Sequence, residues 1–417
     1  MSNTTLTADV IAKAALPILE NELGWLSTLY RAHESEYAET VNGYKKGATV
    51  SIRRPADFTI RSGAVMNTQD VTEGKVTLTV DQQKGVDFQF TSTELTLSMN
   101  KLAERVIKPA MVRLVNEVAK DVAQQMYLST YNWAGTPGQT INSFADFTKG
   151  PERLDLMAVP QDSRHALLSP QDFWALVGSN TALFAPGVVE SALRKGKLGM
   201  LGNVDTWMSQ VTPTHTNGTS DNTTPVVKGS SQEVTYATAK DTWTQSLITD
   251  GWDSSTTITA GTVFTISGVY MVNPQTKAAT DVLQEFVVMS TVTADETTSN
   301  ATTLTISPPI ITTGPHQTVT YSGDMDDNTI IVHGGGTASQ SYRQNMIYHK
   351  NAMALAVVPM ELPAGSAQVS RQTQNGLSVR VEAVRDGIND INAWRLDILY
   401  GRRLIDPRVI ARLSGTS

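Results

Sequence analysis

Residues 43–95 most constrain what this chain can fold into. "TVSIRRP" (49–55) and "DFTIRSG" (57–63) alternate apolar with polar residues, and the return, "GKVTLTVDQQKGVDFQFTSTEL" (74–95), sets Val76, Leu78 and Val80 on one face. The alternation predicts a long two-stranded ribbon. It carries the cations Lys45, Lys46, Arg53, Arg54 and Arg61, and it has few large apolar residues. A lone hairpin with one modest apolar face is not stable in water. The ribbon therefore needs a partner surface, within this chain or on another copy.

The segments around it are of other kinds. Residues 8–23 place Val10, Ile11, Ala14, Ala15 and Ile18 at helical spacing, interrupted by Pro17. A helix that short needs something to dock on. Over 95–131 a stripe of Leu102, Val106, Ile107, Met111, Leu114, Val115, Val118, Val122 and Met126 predicts a long helix, with a kink or junction at Pro109. From 150 to 208 strands and helices alternate: "HALLSP" reads as a strand, Ser169 caps a helix that has Pro170 in its first turn, and 188–199 reads as a second helix. From about 212 to 340 the composition shifts to Thr, Ser, Asn, Asp and Val. "EVTYATA", "TVFTISGVYMV", "QEFVVMSTVTA", "TTLTISPPII", "QTVTYSG" and "NTIIVHG" read there as the strands of a barrel or sandwich inserted into an α+β host. The host pattern resumes in "NMIYHKNAMALAVVPM" (345–360) and "LSVRVEAVRDGINDINAWRLDILYG" (377–401).

No catalytic constellation competes with a structural reading. The chain has no cysteine, which removes disulfides, thiolate metal sites and a cysteine nucleophile together. "HGGG" at 333–336 resembles an esterase oxyanion loop, but no G-x-S-x-G elbow accompanies it. "DMDDN" at 324–328 alternates Asp324, Asp326 and Asn328 as a calcium loop does, yet Thr329 and Gly335 stand where Gly and Glu are needed. "HESEY" at 33–37 lacks the second histidine of a zinc helix, and no phosphate-cradling glycine loop occurs. No cofactor is expected. The longest apolar run, "MALAVVPM", is far below the ~20 residues that span a bilayer, and the first residues make a poor signal peptide, so an intracellular birthplace with no membrane partner is expected. A net charge of -7 argues against a basic grip on nucleic acid, though not against enclosing it.

The order of parts is the informative signal. "VDQQKGVDFQFTSTEL" leads into a long helix, and "AGTVFTISGVYMVNPQTK", "LQEFVV" and "TLTISPPI" sit in an insertion. "YHKNAMALAVVPMELP" and the closing "LYGRRLIDPRVIARL" follow. In this order the chain resembles the major capsid proteins of tailed bacteriophages, of the HK-ninety-seven-type fold. More narrowly, it is similar to the coat proteins of the short-tailed Salmonella phage (P-twenty-two-like) family.

The resemblance implies an N-terminal arm (1–42), an extended E-loop (43–92), a spine helix (93–132), an axial domain (133–222 and 345–375), an inserted β-barrel (223–344) and peripheral strands (376–417). The last of these would pack the peripheral sheet against the spine helix. It implies a non-enzymatic shell subunit that assembles through pentamers and hexamers around double-stranded DNA. No propeptide or protease segment is visible, so a separate scaffolding protein is implied, with a portal protein as a further partner. Arg53, Arg54 and Arg61, with Lys45 and Lys46, are the candidate contacts to carboxylates of neighbouring subunits. Asp241, Asp250 and Asp253 are the candidate acidic loop that meets its neighbour across a two-fold axis. An encapsulin-like compartment or a tail or decoration protein is the alternative.

Overall fold

Backbone hydrogen bonding settles where the ribbon's return strand goes. In the computed structural model, which describes residues 24–416 apart from 35–36, 38–39, 42–43, 46–47, 67, 92–105, 180–198, 220–223, 254, 295–300, 334–338, 363–367, 375–376 and 387–390, the return is one long strand, Lys75–Thr91. It pairs antiparallel with Ile391–Leu404, register Ile391 to Thr91 through Tyr400 to Gln82, and Thr49–Arg53 lies on its other edge. The helical readings at 8–23 and 188–198 and the start of the spine helix fall outside the described residues.

The chain divides into two units. The first comprises Met1–Ser51, Thr77–Val122 and Met353–Arg403. Its six-stranded sheet runs Gln368–Gln374, Leu377–Asp386, Ile391–Leu404, Lys75–Thr91, Thr49–Arg53, with Met353–Val358 also pairing Ile391–Leu404. Period-2 alternation predicts these strands, and burial follows it, with Val50, Leu78, Val379, Val381, Leu396 and Ile398 inside. Helix α1, Lys108–Leu128, buries Ile107, Met111, Leu114, Val115, Val118 and Val122 on one stripe. A π-type turn at Val106 and Ile107 precedes it, so Pro109 falls in the first turn, where its missing N–H has no helical acceptor to lose. The N-terminal segment is anchored where it is described. Tyr30 N–H donates to Met353 O, Leu355 N–H donates to Tyr30 O, and Trp25, Leu26 and Leu29 are buried.

The second unit comprises Ile52–Val76, Ala123–Ala352 and Leu404–Ser417. A mixed sheet, ordered Trp133–Ala134, Ile410–Leu413, Asn345–His349, Arg164–Leu168, Val204–Met208, Met200–Leu201, is covered by α2, Phe144–Leu156, and α3, Pro170–Ser179. Ser169 caps α3 as expected, its Oγ accepting from Asp172 N–H. Ile410–Leu413 corrects the expectation for the C-terminus: it pairs with Asn345–His349 and Trp133–Ala134 and is not a strand of the first unit's sheet. All four of its residues are buried, which a central strand requires and an edge strand does not.

Thr214–Thr216 pairs with Ser341–Arg343, and the chain between these two strands is rich in β structure. Its seven-stranded sheet runs Val226–Val227, Gln245–Asp250, Thr302–Ser307, Ala279–Val288, Val263–Val272, Val319–Thr320, with Ile330–Val332 also on Val263–Val272. The sheet's ends meet: Val227 N–H donates to Asn328 O (3.0 Å), Asp327 N–H to Val227 O (2.9 Å), and Ile330 N–H to Pro225 O (2.8 Å). Inside lie Leu247, Phe264, Ile266, Phe286, Val288, Leu304 and Ile306. "EVTYATA" is not a strand: Tyr236–Ala239 form a helical turn, α4, with Ala239 buried and Tyr236 stacked on His316.

Candidate assembly surfaces

The ribbon keeps sheet bonding only up to Arg54 N–H, which donates to Gly74 O at 2.8 Å. Beyond this base the chain from 55 to 73 forms no strand among its described residues, which corrects the expected strand at 57–63. Side chains bridge it instead. Gln69 Nε2 donates to Thr59 O (2.6 Å) while Gln69 Oε1 accepts from Thr59 N–H and Oγ1 (2.9 and 2.8 Å). This segment turns apolar surface to water: Ile60 is 95% exposed, Val65 85% and Met66 77%, and Phe58 and Val71 are more than half exposed. Scattered exposed leucines are ordinary, whereas five exposed apolar side chains within one short segment form the kind of patch found at contact surfaces.

The predicted cations divide. Arg53 is exposed and pairs with Glu73 at 3.2 Å, and Arg61, also exposed, donates to Gly63 O on its own turn. Arg54 is used inside the chain: it is 9% exposed, its Nε and Nη1 donate to Ile405 O and Lys240 O at 3.3 and 3.2 Å, and its guanidinium stacks on Trp243. Lys45 lies on Tyr44–Lys45, paired with Thr40–Val41, and Lys46 is outside the described residues. The acidic candidates do not share one loop. Asp241 Oδ1 accepts from Lys75 N–H (3.0 Å). Asp250 ends a strand beside Lys228, 4.0 Å away, while Asp253 is exposed past the turn at Gly251.

Sequence reasoning missed the buried ionic groups of the second unit. Glu285 lies in a run, Gln284–Val288, that is buried throughout. Its carboxylate accepts from Trp133 N–H (2.6 Å) and Arg153 Nη2 (3.3 Å), with His333 Nε2 at 3.7 Å. Burial pushes Glu285 up to about 7 against the pull of Arg153, the Trp133 N–H and Arg412. Burial likewise carries His333, stacked on Trp133, down to about 4, with Arg153 and Arg412 pushing the same way. Arg412 is fully buried between the rings of Tyr127 and Trp133, and desolvation pulls it down to about 9. The legible signal was the polar pair Gln284–Glu285 interrupting an apolar strand. Asp172 is a second hub, accepting from Ile141 N–H, Ser169 Oγ, Arg343 Nε and Asn345 Nδ2. Burial alone would raise it, but those four donors hold it below the ordinary carboxylate range.

None of this assembles a reaction centre. His333 of "HGGG" is part of the Glu285 cluster, and Gly334–Gly336 fall outside the described residues. Asp326 of "DMDDN" has one oxygen taken by Gly229 N–H (2.6 Å), and Asp324 caps Asp326 N–H. Glu34 of "HESEY" is held by both Arg31 nitrogens. Among the described residues no group of three potential ligands could hold a metal ion, and no helix is long and apolar enough to cross a membrane.

A segment that turns five large apolar side chains to water is the kind of surface that the building blocks of assemblies carry. Residues 33–415 match the family model described as P22 coat protein - gene protein 5, and the chain belongs to that family. It is a major capsid protein of a bacteriophage, a structural protein and not an enzyme, which assembles with copies of itself into the icosahedral shell of the virion. No curated protein matches the sequence. Solved structures similar to this chain include one of Mycobacterium phage Che8 (12% identity, 93% of this chain and 89% of that one, TM-score 0.47). Others are the capsid of Ralstonia phage GP4 (9% identity, 94% and 88%, TM-score 0.45) and the virus-like particle from Pyrococcus furiosus (9% identity, 97% of both chains, TM-score 0.40).

Proposed function

We propose that this coat protein builds its shell through pentamers and hexamers, on a separate scaffolding protein, as a procapsid that expands when double-stranded DNA enters through a portal. The observation that carries this reading is the ribbon tip: Phe58, Ile60, Val65, Met66 and Val71 face water in a single copy. Each such side chain gains roughly 1.5–3 kcal/mol when fully buried. Repeated around a closed shell, contacts of that size sum to a stable particle without any one being strong. A net charge of -7 suits a wall that lets DNA slide past it, since strong Lys/Arg–phosphate contacts would hinder loading and release.

In this reading the family's parts are the arm (1–42), the E-loop (43–92, with no strand over 55–73 among its described residues), the spine helix (93–132), the axial domain (133–222 with 345–375), the insertion (223–344) and the peripheral strands (376–417, apart from Ile410–Leu413). The insertion is a closed barrel, supported by the bonds of Pro225–Val227 to Asp327–Ile330. Arg53 and Arg61 are the exposed ribbon cations that meet a neighbour's carboxylates, Arg53 by exchanging its partner Glu73, and Asp253 is the acidic residue best placed for a two-fold contact. Assembly takes place in the host cytoplasm.

The double variant Ile60→Asp, Met66→Asp tests this. It is expected to fold with an unchanged circular dichroism spectrum and melting temperature, and to remain unassembled under conditions in which the parent forms shells. Normal shell yield from that variant would contradict the reading.

A further inference from the structure

The ribbon's base is held by the insertion of its own chain. Four separate ties meet there. Lys75 N–H donates to Asp241 Oδ1 at 3.0 Å. Arg54 Nη1 donates to Lys240 O, and its guanidinium carbon lies 5.3 Å from the centre of the Trp243 ring, against which Arg408 also packs at 5.6 Å. Asp57, three residues further out, pairs with Lys277 at 2.6 Å, and Lys277 also donates to Pro315 O. Finally, Gly74 is buried so closely that a Cβ on it would lie 2.3 Å from Lys240 O and 3.0 Å from the Tyr236 hydroxyl. No side chain fits there, so that glycine is required by the approach of the insertion's backbone.

The insertion has built itself for this role. Tyr236 stacks on His316 at 3.6 Å and meets Trp243 edge-on, which fixes the α4 turn. Lys277 takes a left-handed backbone conformation (φ 55°) on the turn after Val263–Val272, aiming its ammonium at Asp57. Among the described residues outward of Asp57 the ribbon meets no further tie of this kind, and its exposed apolar residues begin at once with Phe58.

We propose that the Tyr236–Trp243 turn and Lys277 are positioning residues for assembly: they clamp the ribbon's base so that its apolar tip leaves the molecule in one fixed direction before any neighbour is met. This rests on the reading of the ribbon as an inter-subunit element. The clamp lowers the ordering cost of docking, because a preoriented tip loses less freedom on contact than a swinging one. The insertion then serves assembly through its own chain's ribbon, independently of any contact it makes with another subunit.

The absence of cysteine makes the test clean. Spin labels on Met66→Cys at the tip and Ser246→Cys on an exposed strand position of the insertion report their separation in single copies. The unaltered clamp is expected to give one narrow distance distribution. Asp57→Lys, which sets a cation against Lys277, is expected to broaden it and to slow shell formation roughly tenfold. The charge-swapped pair Asp57→Lys, Lys277→Asp is expected to restore both, while Gly74→Ala breaks a different tie and is expected to broaden the distribution as well. A melting temperature equal to the parent's in Asp57→Lys separates positioning from simple loss of fold, and Lys277→Met replaces it should the reversal unfold the insertion. A distribution that stays narrow in the clamp variants overturns the proposal, as does broadening with assembly at the parent's rate. The distances are measured on single copies and so judge the clamp even where no shells form.

Discussion

At the scale of single residues, two buried carboxylates of opposite character bear on stability. Glu285 prefers its proton: its value of about 7 when folded lies above the ordinary 4.5, so the folded state binds more protons than the unfolded one between those limits. Its contribution to stability is therefore present at low pH and is lost as pH rises from about 4.5 to about 7. Glu285→Gln keeps an acceptor for Trp133 N–H without the titration. Its stability relative to the parent, followed by urea unfolding, is expected to improve steadily across that pH window and to be flat outside it. His215, His316 and His333 run the other way: burial lowers them to about 3, 4 and 4, so together they favour the folded state as pH climbs from about 4 to 6.5. Asp172 is held charged by four donors, and Asp172→Ala leaves Arg343 and Ile141 N–H facing an empty site. A loss of roughly 3–5 kcal/mol is expected for removing one partner of a buried charged pair, read from the same unfolding curves.

At the scale of elements, the ribbon separates what patterning can tell from what it cannot. The alternation of Val76, Leu78 and Val80 announces a strand, and the strand is there. Alternation says nothing of the partner, and here it is Ile391–Leu404, some three hundred residues on, so the backbone of the return strand is hydrogen-bonded within the chain. Val76 and Leu78 are buried, while the five apolar side chains between 58 and 71 face water. The close pairing has its own residue: opposite Asp397, Gly85 leaves room where a Cβ would lie 2.3 Å from the carboxylate that Arg380 holds at 2.6 Å. Gly85→Ala is expected to lower the melting temperature of the first unit by several degrees, the effect of about 1–2 kcal/mol, measured by calorimetry. Helix α1 and the cap of α3 were legible because stripe and capping chemistry are local. "EVTYATA" misled because Val, Thr and Tyr favour strands, whereas packing of Tyr236 on His316 decides its turn. The site was half legible: Arg53 and Arg54 are identical neighbours in sequence, and only tertiary structure sends one to solvent and the other under Trp243.

At the scale of the whole molecule, the family membership and the exposed tip lead to one physical picture. A coat subunit carries an apolar segment that a single copy leaves open to water, and the proposed clamp gives that segment its direction. The closing residues Ile410–Leu413 serve the second unit's core, so removing 410–417 is expected to yield insoluble chain, seen as loss from the soluble fraction on expression, and not a soluble subunit defective only in assembly. The most direct test is a cryo-electron microscopy reconstruction of shells assembled from the full chain. Closed icosahedral particles in which Phe58, Ile60, Val65, Met66 and Val71 are covered by an adjacent copy are expected. Shells whose ribbon tips stand uncovered in solvent would contradict it.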